Sequence, residues 1–154
     1  MNEDLMTHAI LEKDAEQAKK LLDDELFIIN QRFTNGDTFF HLSIEGKNVT
    51  PIQTLLLNHP SININVQNAL KETPLVKAVK TENKELVEMI LNHSKFKASL
   101  SLIDYAFLLS VKFKDILKCL LKIDSLDVNY NHVLIKSKNN NIHKKNGRNN
   151  YTFD

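Results

Sequence analysis

The chain has 154 residues, enough for one domain with a buried core, and its 42% apolar and 25% charged residues are ordinary for a globular protein. A formal net charge of +1 excludes a strong field that would steer the whole chain onto nucleic acid or a membrane. One cysteine, Cys119, excludes an internal disulfide and fits a reducing compartment, while 3 Gly and 3 Pro disfavour a many-turned β protein.

The N-terminal residues 1–25 mix Glu, Asp and Lys throughout, so no signal peptide is expected, and the longest apolar runs, such as Tyr105–Leu109, are too short to cross a bilayer. The first predicted helical segment is Glu16-Gln17-Ala18-Lys19-Lys20-Leu21-Leu22. Glu12, Lys13, Asp14, Glu16, Lys19 and Lys20 give this region a polar side suited to a solvent-facing end. Next, Asn35-Gly36-Asp37-Thr38-Phe39-Phe40-His41-Leu42-Ser43 leads to a second apolar run, Gln53-Thr54-Leu55-Leu56-Leu57-Asn58-His59. A third segment shows the pattern most clearly. Thr73 is placed to cap a helix, and Pro74 suits the first helical position, where its missing N–H has no partner to lose. Leu75, Ala78 and Val79 share one helical face. Thr81-Glu82-Asn83 interrupts it, with Asn83 capping a second helix whose stripe is Leu86, Val87, Ile90 and Leu91. A fourth run, Asp115-Ile116-Leu117-Lys118-Cys119-Leu120-Leu121, resembles Glu85–Leu91 at a spacing of 30 residues. Three segments close alike: Ile28-Ile29-Asn30, Asn63-Ile64-Asn65 and Asp127-Val128-Asn129. Thr38 and Thr73 stand 35 residues apart. A period of about 33 residues belongs to one class of stacked helical repeat.

On these residues the chain resembles the ankyrin repeat family. Thr38-Phe39-Phe40-His41-Leu42-Ser43 and Thr73-Pro74-Leu75-Val76-Lys77-Ala78 are similar to its Thr-Pro-Leu-His-x-Ala signature, and Asp127-Val128-Asn129 to its closing Asp-Val-Asn. The resemblance implies an all-α, ankyrin-like solenoid of stacked helix–turn–helix repeats with short hairpin loops. Its units are about 1–33, 34–68, 69–98 and 99–131, followed by a basic Asn/Lys-rich tail over 132–154, disordered or a partial C-terminal cap. Ser101–Ala106 keeps little of the signature, and the short third spacing predicts a reduced third hairpin. Lys71 stands where the family places a turn glycine; a left-handed backbone there costs about 1 kcal/mol. Leu75, Val79, Val87, Ile90 and Leu91 are expected to pack against Phe40, Ile44, Leu55 and Leu56 on one side. On the other they meet Leu108, Leu109, Leu117 and Leu120. Stacking is what buries faces that one helix pair leaves open.

Candidate chemistry is thin. The resemblance gives His41 a structural role, bonding backbone and holding the turn. His59 and His93 occupy equivalent places in units about 10 Å apart, too far for a shared metal, and read as surface residues. Cys119 lies in an apolar stripe and reads as inert packing. Glu82, Glu85 and Glu88 beside Lys84 read as a solvated face. No phosphate-cradling glycine loop or nucleophile motif occurs, so neither an enzyme nor a cofactor or metal is expected.

The resemblance therefore implies a non-catalytic, monomeric protein–protein interaction scaffold. Its partner contacts carry over to the hairpin tips, Phe33, Asn35, Asp37, Leu70 and Glu72, and to the inner-helix positions Glu45, Lys80, Thr81, Ser110 and Val111. Phe33 and Leu70 are either exposed anchors with a polar rim or packed between loops. Asp37, Glu45, Glu72 and Lys80 are expected to have no core role, and Glu88 and Lys118 to face solvent on the outer helices. The alternative is a nucleic-acid-associated protein using Lys136, Lys138, Lys144, Lys145 and Arg148, with Tyr151 and Phe153 as the tail's aromatics; the absence of a recognition module disfavours it. Heavy Asn, Lys and Ile usage points to an AT-rich genome. It suggests an effector of an intracellular microbe or virus that acts on a host protein, in the cytoplasm of its own cell or of the host.

Overall fold

The computed structural model describes residues 2–97 and 114–120. Every regular element among them is a helix: α1 (Asn2–Glu12), α2 (Ala15–Leu22), α3 (Phe39–Ser43), α4 (Pro51–Asn58), α5 (Pro74–Lys80), α6 (Lys84–Leu91) and α7 (Lys114–Leu120). Within units the pairs are α1 with α2, α3 with α4, and α5 with α6. Between units α1 packs on α3, α2 on α4, α3 on α5, and α6 on α7.

Local chemistry sets the helix boundaries. The side chains of Asp14, Thr50, Thr73 and Asn83 accept the N–H of Gln17, Gln53, Val76 and Leu86, so four of the helices start on a side-chain cap. In α4 the cap is reciprocal, because Gln53 Oε1 accepts the Thr50 N–H at 3.0 Å. The turns inside units 1 and 3 are built alike. Lys13 and Glu82 each take φ 59°, and the next N–H, of Asp14 or Asn83, bonds back to Ala9 or Ala78. Unit 2 departs from this. Its α3 has only five residues, and the connection to α4 passes through Gly46 at φ 72°. From Thr38 to the next cap, Thr50, is two residues longer than from Thr73 to Asn83. The extra residues of the 35-residue spacing therefore sit between α3 and α4. Buried Gln53 ties that longer connection down by donating to the Ser43 carbonyl at 2.7 Å.

One apolar core runs through the described units, from Met6 and Ala9 through Phe39, Phe40, Ile44, Leu56, Leu75, Val79, Val87 and Ile90 to Ile116 and Leu120. Leu55 and Leu91 are only half-buried, whereas Leu57, Ile62 and Ile64 are core residues. Leu108, Leu109 and the side chain of Leu117 lie outside the described residues, as do the loop expected to be shortened after the third unit and the tail.

The closing asparagines explain the shared segment endings. Asn30 donates to the Ser61 carbonyl at 2.7 Å and accepts the Asn63 N–H at 2.8 Å. Asn65 repeats this one unit on, with the Lys95 carbonyl at 2.7 Å and the Lys97 N–H at 2.9 Å. An amide side chain is both donor and acceptor, so one residue clasps both backbone groups of the neighbouring loop.

Candidate interaction surface

Two tight turns precede the inner helices α3 and α5. In the first, Phe33 N–H donates to the Asp37 carbonyl at 2.9 Å and Gly36 N–H to the Phe33 carbonyl at 2.8 Å. In the second, Asn68 and Glu72, and Lys71 and Asn68, make the same two bonds at 2.9 and 3.0 Å. Gly36 and Lys71 hold the matching left-handed positions, at φ 78° and 62°. Lys71 thus adopts the turn expected of a glycine. The turns are joined directly, since Ala69 N–H donates to the Asn35 carbonyl at 2.9 Å. A Cβ on Gly36 would stand 2.8 Å from that same Ala69 nitrogen, so only glycine fits there.

Three side chains lock the pair. Asn68 Oδ1 accepts the N–H groups of Leu70 and Glu72, each at 3.0 Å, and its amide donates to Asp37 Oδ1 at 2.8 Å. Asp37 Oδ2 accepts from the Asn35 amide at 3.0 Å and lies 3.9 Å from the Lys77 ammonium. His41 bridges the units. Its Nδ1 is 3.2 Å from the Thr38 N–H, and its Nε2 is 3.2 Å from the Glu72 carbonyl. Because the Thr38 N–H can only donate, Nδ1 accepts and Nε2–H donates to Glu72. The ring is fully buried, and desolvation lowers its pKa below the ordinary value despite the opposing pull of the Glu72 carbonyl and the Asp37 charge.

The structure divides the tip and inner-face residues into two groups. Asn35, Glu45, Leu70 and Lys80 are exposed, Leu70 by 75%, and Glu45 stands past the end of α3 rather than on the inner helix, because that helix stops at Ser43. Thr81 is half-buried, its hydroxyl donating to the Ala78 carbonyl at 3.1 Å. Asp37 and Glu72 are buried, contrary to the expectation that they have no core role. Asp37 is held by the two asparagines, and the Glu72 carboxylate pairs with the Lys80 ammonium. Phe33 packs edge-on against Phe39 of α3, ring centroids 5.3 Å apart, and is partly buried against the core, so of the two candidate anchors it is the packed one. Ser110 and Val111 lie outside the described residues, as do Lys136, Lys138, Lys144, Lys145, Arg148, Tyr151 and Phe153.

Other readings also change. His93 is not a free surface residue: its Nδ1 accepts the Lys95 N–H at 3.1 Å, and its Nε2 donates to the Leu57 carbonyl of the preceding unit at 3.0 Å. Glu88 is half-buried and accepts from buried Cys119 at 3.1 Å, so it is no neutral outer-face position. Sequence reasoning missed Asn68 as the hub of the tips; its signal is an asparagine two residues before Leu70, whose N–H its side chain accepts, an Asx-turn pattern. Among the described residues no group of three or more His, Cys, Asp or Glu could hold a metal ion, and no helix is long and apolar enough to cross a membrane.

The family model of ankyrin repeats (3 copies) matches residues 5–104. The chain belongs to the ankyrin repeat family. Among solved structures, the crystal structure of EF0377, an ankyrin repeat protein, superposes with a TM-score of 0.65 at 20% identity, covering 82% of this chain. This chain spans 64% of that protein's length, and the likeness is one of fold. No curated protein matches the sequence. Ankyrin repeats generally mediate protein–protein interaction, and the family is typically non-catalytic.

Proposed function

We propose that this chain is a non-catalytic scaffold that binds another protein through its hairpin tips and inner-helix face. The observation that carries the reading is Leu70, a large aliphatic side chain 75% exposed on a turn fixed by Asn68 and by the Ala69–Asn35 bond. An exposed apolar group on a rigid support is suited to be an interface anchor, because little ordering entropy opposes its burial. Asn35, Glu45, Lys80 and Thr81 supply the polar surroundings. Asp37, Glu72 and Phe33 support the tips from beneath. The Asn-, Lys- and Ile-rich composition favours a host protein as the partner and a cytoplasmic site of action, with the scaffold acting as a monomer.

The test is affinity capture with the full chain, comparing Leu70→Asp and Glu45→Lys with Glu85→Lys at an exposed position of α6. All three should shift stability by less than about 0.5 kcal/mol. The first two should lose the captured partner and the third retain it. Retention by Leu70→Asp and Glu45→Lys together, with loss by Glu85→Lys, would move the interface to the outer helices.

A further inference from the structure

A second apolar surface shares no residue with the tips. In the loop after α2, Leu26 is 86% and Ile28 66% exposed. Internal comparison shows how unusual this is. The N–H of Leu26 donates to Asp24 Oδ1 at 2.9 Å, that of Ser61 to His59 Nδ1 at 3.1 Å, and that of Lys95 to His93 Nδ1 at 3.1 Å. Leu26 is thus the counterpart of Ser61 and Lys95, and Ile28 of Asn63 and Lys97. Units 2 and 3 place polar or charged side chains where unit 1 places two large aliphatic ones. The turn does not require them, since Ser and Lys build the same one, and the core does not bury them.

Beside them lies a cleft of about 160 Å³, lined among others by Glu3, Leu26, Phe27, Ile28 and Phe39. Phe27 and Phe39 of the lining make a tilted ring contact, centroids 5.3 Å apart. A space of this size accepts roughly one aromatic ring. Among the described residues the lining contains no Lys, Arg or His. Glu3 of the lining is exposed, as are Asp24, which accepts from the lining residue Asn2 at 3.1 Å, and Glu25, the residue before Leu26; none of the three forms an ion pair among the described residues.

We propose that this cleft docks a segment of a partner protein that inserts one aromatic or large aliphatic side chain and carries Lys or Arg on either side of it. The apolar walls favour the anchor, and the carboxylates attract the flanking cations and repel acidic segments. A second copy of this chain is a poor occupant. A two-fold contact of the face with itself would set Glu3 and Glu25 against their own copies, with no cation of the lining to offset them.

The test titrates the full chain with a labelled Lys-Lys-Leu-Phe-Lys-Lys peptide and with Lys-Lys-Ser-Ser-Lys-Lys, following anisotropy and backbone amide shifts. The Phe peptide should shift amides around Leu26 to Gln31 and bind at least about tenfold more tightly than the Ser peptide. The double variant Leu26→Ser/Ile28→Asn carries the residues unit 2 already uses and should keep the melting curve. It should weaken the Phe peptide about tenfold or more, and Glu3→Lys/Glu25→Lys should do likewise, whereas Leu70→Asp should not. Added salt should weaken binding through the loss of charge attraction. Equal binding of the two peptides, or an unchanged affinity in the Leu26→Ser/Ile28→Asn variant, would overturn the proposal. So would a dimer in sedimentation that this variant dissolves, which would make a second copy the occupant. A rise in affinity on removing residues 137–154 would assign the cleft to the chain's own basic tail and equally end the proposal.

Discussion

Units 2 and 3 enter their inner helices through the same turn, and they secure it by different means. At the start of α3, Thr38 is paired with His41, whose ring spans from the Thr38 N–H to the Glu72 carbonyl of the next unit. At the start of α5, Thr73 is followed by Pro74, and the position matching His41 is Val76, fully buried. Pro74 presets the backbone dihedral of the first turn, whereas His41 closes it by hydrogen bonding. A second difference runs the other way. Unit 2 has glycine at its left-handed turn position and unit 3 has Lys71. Gly36 is pressed against Ala69, while Lys71 is exposed. The comparison teaches that the entry to an inner helix is closed by a bridging histidine in one unit and, in the next, by a proline and a buried valine beside the Asn68 and Thr73 bonds.

The largest test of the apolar side is Ile90→Ala. Ile90 is fully buried in α6, which packs on both α5 and α7, so truncation should cost about 2–5 kcal/mol in a denaturant melt. A melt unchanged within error would mean that the units do not stack through this helix.

The polar side is tested by His41→Val, which makes unit 2 resemble unit 3 at this position. It removes the partner of the Glu72 carbonyl and of the Thr38 N–H, and should cost roughly 1–3 kcal/mol. A neutral outcome would show that the apolar solution of unit 3 serves equally well in unit 2. The same residue predicts a pH dependence. Burial lowers the folded-state pKa of His41, so the unfolded chain binds its proton more readily. The stability linked to the neutral ring is therefore fully present above about pH 6.5 and is lost as pH falls from there through the folded-state pKa. Melts across this window should slope less steeply in His41→Val than in the parent chain.

The smallest effect is expected at the left-handed turn positions, and its sign should reverse between them. Lys71→Gly should stabilise by up to about 1 kcal/mol, because the turn needs φ above zero and the lysine side chain is exposed. Gly36→Ala should destabilise by at least about 1 kcal/mol, since the added Cβ meets backbone. The same sign at both would erase the distinction between the two turns.

Much of the architecture is legible before any coordinates. Thr73 and Asn83 announce helix starts through side chains that can accept a first-turn N–H, and Leu75, Val79, Val87 and Ile90 announce buried faces through their spacing. These are local effects, and the local sequence carries them. The recurrence of Ile-Asn and Val-Asn endings is equally visible, but what Asn30 and Asn65 grip is not, because Ser61, Asn63, Lys95 and Lys97 belong to the next unit.

Tertiary structure decides which polar residues are surface and which are buried fasteners. Asp37 and Asn35 stand two positions apart on the same turn, yet one is buried and the other exposed, because the Asn68 amide approaches only Asp37. Phe33 and Leu70 read alike as tip residues until Phe39 packs against one of them. Periodicity and capping chemistry thus suffice to specify helices and repeat length. Exposure is different in kind. It depends on atoms more than thirty positions away in sequence that stacking brings within hydrogen-bonding reach, so the candidate surface emerges only once the units are assembled.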